Sequence, residues 1–99
     1  MARFSVYEWP AGDGLLLNLQ TDFLDWLDTR IVAPLVPVES APPPARHLNP
    51  VLQIDGRDHV LLTQAMAAVP VSAMGREVGS LANARDEITR ALDMVFQGF

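Results

Sequence analysis

Val51-Leu52-Gln53-Ile54-Asp55-Gly56-Arg57-Asp58-His59-Val60-Leu61-Leu62 decides the fold class of this chain. Two apolar, partly β-branched runs flank Asp-Gly, the dipeptide that best accepts two consecutive positive φ angles. A tight β-hairpin is the expectation. Downstream, Val69-Pro70-Val71-Ser72 continues the β pattern and Gly75 is expected to end it. Upstream, residues 37–50 carry Pro37, Pro42, Pro43, Pro44 and Pro50. Successive prolines remove ladder donors and fix an extended backbone, so this is a loop. Before it, Thr29 to Val36 reads as a strand in which Pro34 marks an edge or a bulge. Residues 3–9 and Leu15 to Gln20 read as a further hairpin around the turn cluster Pro10-Ala11-Gly12-Asp13-Gly14. Thr21 to Asp28 is a helical turn or loop.

The period changes near residue 83. Ile88, Ala91, Leu92, Val95 and Phe96 follow the i, i+3, i+4, i+7, i+8 spacing of one buried helical stripe. Asn83 is expected to cap this helix, with Asp86 and Glu87 at its positive end. Asp86 and Arg90 are spaced for an i, i+4 pair, and Gly98 is placed to stop the helix. Short strands followed by one helix predict a mainly β (α+β) chain, a small, strongly bent sheet or barrel with the helix packed on it.

The chain has 99 residues, enough for one core, and residues 1–99 are read as one domain. Hydrophobic residues make up 49% and charged residues 19%, a balance that suits a self-associating surface. The net charge is −5 and every basic side chain is Arg. Repulsion from phosphate backbones makes direct nucleic-acid binding the weaker expectation. With no cysteine there is no disulfide, zinc-thiolate site or thiol nucleophile. No signal region and no long apolar run is present, so a cytoplasmic protein that does not engage a membrane is expected.

Residues for catalysis are hard to find. Asp22, Asp25 and Asp28 read as a solvated acidic face over Phe23, Leu24 and Leu27, not as a cation site. His47 and His59 lack ligand-spaced partners and read as surface or turn histidines. Ser72, in an apolar strand, and Ser80, before the helix, have no nucleophile elbow. The glycines form no phosphate cradle, so no cofactor is expected. What stands out is Met94-Val95-Phe96-Gln97-Gly98-Phe99, apolar where chain ends are normally polar. Either Phe96 and Phe99 fold back onto the core, or they await a partner.

Arg3-Phe4-Ser5-Val6-Tyr7, Leu19-Gln20-Thr21-Asp22, Arg30-Ile31-Val32-Ala33-Pro34-Leu35, Leu48-Asn49-Pro50-Val51, Met66 to Ser72, Gly75-Arg76-Glu77-Val78 and Ile88 to Phe99 resemble, in order, the CcdB family of toxins. Met66 to Val78 is the most specific stretch. The resemblance implies an SH3-like β-barrel of the CcdB/MazF type with a C-terminal helix, and a homodimer with both helices near its two-fold axis. It implies a non-enzymatic toxin of plasmid-maintenance modules that traps DNA gyrase, through its A-type subunit, on cleaved DNA. A CcdA-like antitoxin relieves this. The family ends in Trp-Gly-Ile preceded by Phe. Here Phe96 matches the Phe and Gly98 the Gly, while Gln97 replaces the Trp and Phe99 the Ile. Phe23, Leu24 and Asp93 fall at further gyrase-facing positions. Gln97 lacks the π-face that a tryptophan would stack on a gyrase arginine, a contact worth about 0.5–2 kcal/mol. Two alternatives stay open: a MazF-like ribonuclease, and a CcdB-like dimer that no longer poisons gyrase.

Overall fold

The computed structural model describes residues 1–99. Its seven strands are β1 Ser5–Glu8, β2 Leu15–Asn18, β3 Thr29–Pro37, β4 Val51–Ile54, β5 Arg57–Leu61, β6 Ala67–Pro70 and β7 Glu77–Ser80. One helix, α1, spans Arg85–Gln97. All pairings are antiparallel, in the order β4-β5-β3-β2-β1-β7, with β6 also on β3. The sheet curls into a half-barrel around Val6, Leu17, Leu35, Leu61 and Ile88, all fully buried.

The 51–62 hairpin forms as expected. Asp55 and Gly56 both have positive φ, 52° and 74°, the geometry whose twist matches that of the flanking strands. Its register pairs Ile54 with Arg57 and Leu52 with His59.

β3 is the structural hinge of the sheet. Its length lets it pair with β2 on one side while the other side is shared, Thr29–Val32 with β6 and Leu35–Pro37 with β5. Pro34 therefore lies neither on an edge nor in a bulge. It occupies the gap where β3 exchanges β6 for β5, and its carbonyl accepts from Leu62 N at 2.9 Å. Carbonyl and amide of a strand residue point the same way, so the missing Pro34 donor falls where no ladder partner is needed.

Four further expectations are corrected. The β run after the hairpin starts earlier, at Ala67, and stops at Pro70; Val71–Ala73, including Ser72, form a 3-10 turn. Gly75 does not end the β structure, because β7 follows and pairs with β1 across an irregular register between Val6 and Tyr7. Such a bulge bends the strand pair and helps curl the sheet. Asn83 does not cap α1. A 3-10 turn at Ala82–Ala84 precedes the helix, its N-cap is Ala84 without a side-chain bond, and Ser80 Oγ accepts from Ala82 N at 3.2 Å instead. Asp86 makes no ion pair with Arg90, whose Nη2 lies 3.3 Å from His47 Nε2.

Candidate functional site

The helical stripe is buried only in its first half. Ile88 and Ala91 are fully covered and Leu92 packs against the core, but Val95 and Phe96 are exposed, Phe96 by 72%. The helix outruns the surface it packs on. Gly98 then turns the chain at φ 80°, its N–H donating to Met94 O at 3.1 Å, and Phe99 is 79% exposed. Gln97 Nε2 reaches back to Asp93 Oδ1 at 3.4 Å on the helix surface. Phe96 and Phe99 do not fold back.

The 21–28 segment is displayed differently. Asp22–Leu24 form a 3-10 turn, continued by Leu27 N donating to Leu24 O at 3.1 Å. Two buried polar side chains hold it from beneath. Gln20 Nε2 donates to Leu24 O and Thr29 O, both at 3.1 Å, and its Oε1 accepts from Ile31 N at 3.0 Å. The Arg30 guanidinium donates through Nη1 to Leu27 O at 2.6 Å and Thr29 O at 2.8 Å. Its Nη2 donates to Asp25 O at 2.8 Å and Asp25 Oδ1 at 3.0 Å. A hydrogen bond from the Met1 ammonium and the charge of Arg30 hold the Asp25 carboxyl below its usual range. Above this scaffold Phe23 is 90% and Trp26 77% exposed, and Leu24 is exposed as well. The acidic face therefore does not cover Phe23 and Leu24. Trp26 is not legible as a site residue in the sequence, because aromatic spacing alone does not tell core from display.

The seven candidate residues form two patches in one chain. Phe23 borders a groove of about 690 Å³ with Arg3, Ala82 and Arg85, at the start of α1. Phe96 to Phe99 lie at the other end of that helix, Phe96 about 16 Å along its axis from Arg85 at 1.5 Å per residue.

One mixed set of ionisable groups shares a cavity. His47, Glu87 and Arg90, with Pro50, line a hollow of about 160 Å³. Desolvation, then the charges of Arg90 and Arg46, push the His47 ring down from its usual pKa. His47 has a φ of 65°, so it does sit in a turn, whereas His59 is no surface histidine. It is buried in β5, with Nδ1 3.0 Å from Arg57 O. Elsewhere, Tyr7 OH donates to Glu77 Oε1 at 3.2 Å, and burial followed by Glu77 raises the phenol's pKa. No helix is long and apolar enough to cross a membrane.

A curled antiparallel half-barrel with one C-terminal helix is the fold of MazF-like toxins. The Mycobacterium tuberculosis toxin MazF-mt6 matches with a TM-score of 0.77 over 95% of this chain and 96% of its own, at 17% identity. An endoribonuclease in complex with its cognate antitoxin, from a mycobacterial species, matches at 0.78 over 97% and 94%, at 11% identity. Identities this low speak to the fold alone. The family is given by sequence: the model described as CcdB protein matches residues 3–98, and the chain belongs to the CcdB family. It is thus of the toxin class of type II toxin–antitoxin modules.

Proposed function

We propose that this toxin acts as a homodimer that binds DNA gyrase through its A-type subunit, without catalysis, and is neutralised by a CcdA-like antitoxin. The observation that carries this reading is the outward apolar end of α1, where Phe96 and Phe99 extend beyond the last packed turn. Asp93, Gln97 and Gly98 complete that surface, and Phe23 and Leu24 supply the second patch. A two-fold pairing that covers Met94 and leaves Phe96 to Phe99 outside would present the end twice. In sedimentation at about 20 μM, a dimer is expected, given ordinary dimer affinities; a monomer would remove this part of the reading.

The deciding experiment deletes residues 97–99. The variant should fold and melt as the parent does, yet lose growth arrest and gyrase-mediated DNA cleavage. Gln97→Trp should tighten gyrase binding by about 2- to 30-fold, the equivalent of one cation–π contact. If deletion unfolds the protein, the end is structural. If neither the intact protein nor Gln97→Trp affects gyrase at any concentration, the chain is a CcdB-like dimer that no longer poisons gyrase.

A second reading, a MazF-like ribonuclease, draws on the cavity of His47, Glu87 and Arg90, the groups an RNA-cleaving acid–base site would use. The net charge of −5 works against RNA binding. Purified protein should leave cellular transcripts intact. Sequence-specific cuts lost in His47→Ala would establish the ribonuclease instead.

A further inference from the structure

Pro42, Pro43 and Pro44 are all exposed, and they run straight between a bend at Ala41 and a turn that begins at Arg46. Their conformation is dictated locally. Each ring fixes φ at about −65°, and a following proline holds ψ in the extended range. Ala41, Pro42 and Pro43 are thereby confined to polyproline II backbone. Ala41 shows it directly, at φ −91° and ψ 152°, and every peptide bond is trans. Both ends of this strut are fixed to the fold. Ala41 N donates to Val38 O at 3.3 Å. Ala45 N donates to Asn49 Oδ1 at 3.0 Å, and Ala45 O accepts from Asn49 N at 2.9 Å. Asn49 is buried, its Nδ2 donating to Leu61 O at 3.0 Å and to Gln64 Oε1 at 2.8 Å. Between these anchors no backbone N–H reaches the carbonyls of Pro42, Pro43 or Pro44.

Open rings and open carbonyls together define what would cover them. A partner must bring a flat apolar surface for the rings and N–H or O–H donors for the carbonyls, because proline offers no donor in return. Tryptophan and tyrosine side chains carry both. The charge that follows the strut is Arg46, exposed and without an ion pair. Glu39, before the strut, is engaged by Arg57 at 3.4 Å, and Glu87 shares a hollow with His47 and Arg90. We propose that residues 42–44 are a docking strut for a protein partner that presents tryptophan or tyrosine rings, with a carboxylate beside them to receive Arg46. A strut already held in its bound shape loses little entropy on docking. Proline-rich segments enter aromatic grooves in this way. None of the residues assigned to the gyrase surface takes part, so the docking does not depend on gyrase being the target.

The test uses the full chain and a labelled cyclic peptide with two tryptophans and one aspartate, read by fluorescence anisotropy. A peptide with leucine in place of both tryptophans is the apolar control. The tryptophan peptide should bind and the leucine peptide should not. The double variant Pro43→Ala, Pro44→Ala should weaken binding about 2- to 10-fold, the equivalent of one aromatic contact, and Arg46→Gln by less. Both prolines are exposed, so circular dichroism should show the double variant folded at the temperature of the binding measurement. Trp26→Ala, at the exposed aromatic residue of another segment, should bind the peptide as the parent does. Unchanged binding in the double variant, or equal binding of the leucine peptide, would overturn the proposal. So would a double variant that turns from dimer to monomer, since the strut would then be a contact between copies.

Discussion

The 21–28 segment and the end of α1 both hold aromatic side chains in solvent, but they do so by different means. Phe23 and Trp26 ride on a turn whose carbonyls are captured by buried Gln20 and Arg30. Phe96 and Phe99 ride on a helix end held by its own backbone and the left-handed Gly98. The first display is therefore part of the fold's stability, and the second is nearly independent of it. A surface built into the fold cannot be altered underneath without unfolding; one carried on a helix end can be trimmed.

That contrast is broken most forcefully at Arg30. Arg30→Met removes the guanidinium that satisfies three carbonyls and Asp25, and should cost on the order of 3–5 kcal/mol, because the Asp25 and Leu27 carbonyls lose their donors at about 1–3 kcal/mol each. Chemical denaturation reads the loss, and hydrogen exchange should show Asp25 and Leu27 losing protection. Unaltered stability would mean that the turn holds itself. Gln20→Ala should follow at about 1–3 kcal/mol, since it strands the Ile31 amide and takes one of two donors from each of the Leu24 and Thr29 carbonyls. At the other end, removing residues 97–99 should shift unfolding by less than about 0.5 kcal/mol, as for exposed positions that pack on nothing. A shift of several kcal/mol would erase the distinction between the two displays.

The smallest effect is expected at His47. Its folded pKa lies below the unfolded value, so the unfolded chain binds more protons on the acid side. Stability should be fully present above about pH 6.5, the usual imidazole value, and decline as pH falls through the folded pKa. His47→Asn should flatten the melting temperature between neutral and mildly acid pH. An unchanged pH dependence in that variant would place the sensitivity on other groups.

Legibility followed how local the causes are. The Asp55-Gly56 turn and the Gly98 helix stop are readable because each needs a backbone conformation that few residues adopt. Glu77-Val78-Gly79-Ser80 is not readable as a strand, being short, half polar and interrupted by glycine; β1 makes it one by offering a free edge. Asn83 has the side chain of a cap, but the 3-10 turn at Ala82–Ala84 moves the helix start past it. The candidate residues Phe23, Leu24, Asp93, Phe96, Gln97, Gly98 and Phe99 came from resemblance, and their division into two patches came from the fold. Trp26 escapes such reading because periodicity records which residues are apolar and not which of them find a cover.

By itself the sequence determined the β class, the hairpin, the helix and its stop, and family membership, because turn chemistry, hydrophobic period and motif order are written along the chain. Only the tertiary structure decided which aromatic residues are left in water. That depends on where the sheet's curvature ends relative to α1, and on buried Gln20 and Arg30 directing their hydrogen bonds to a distant turn. Both are long-range consequences of packing, which no local pattern encodes.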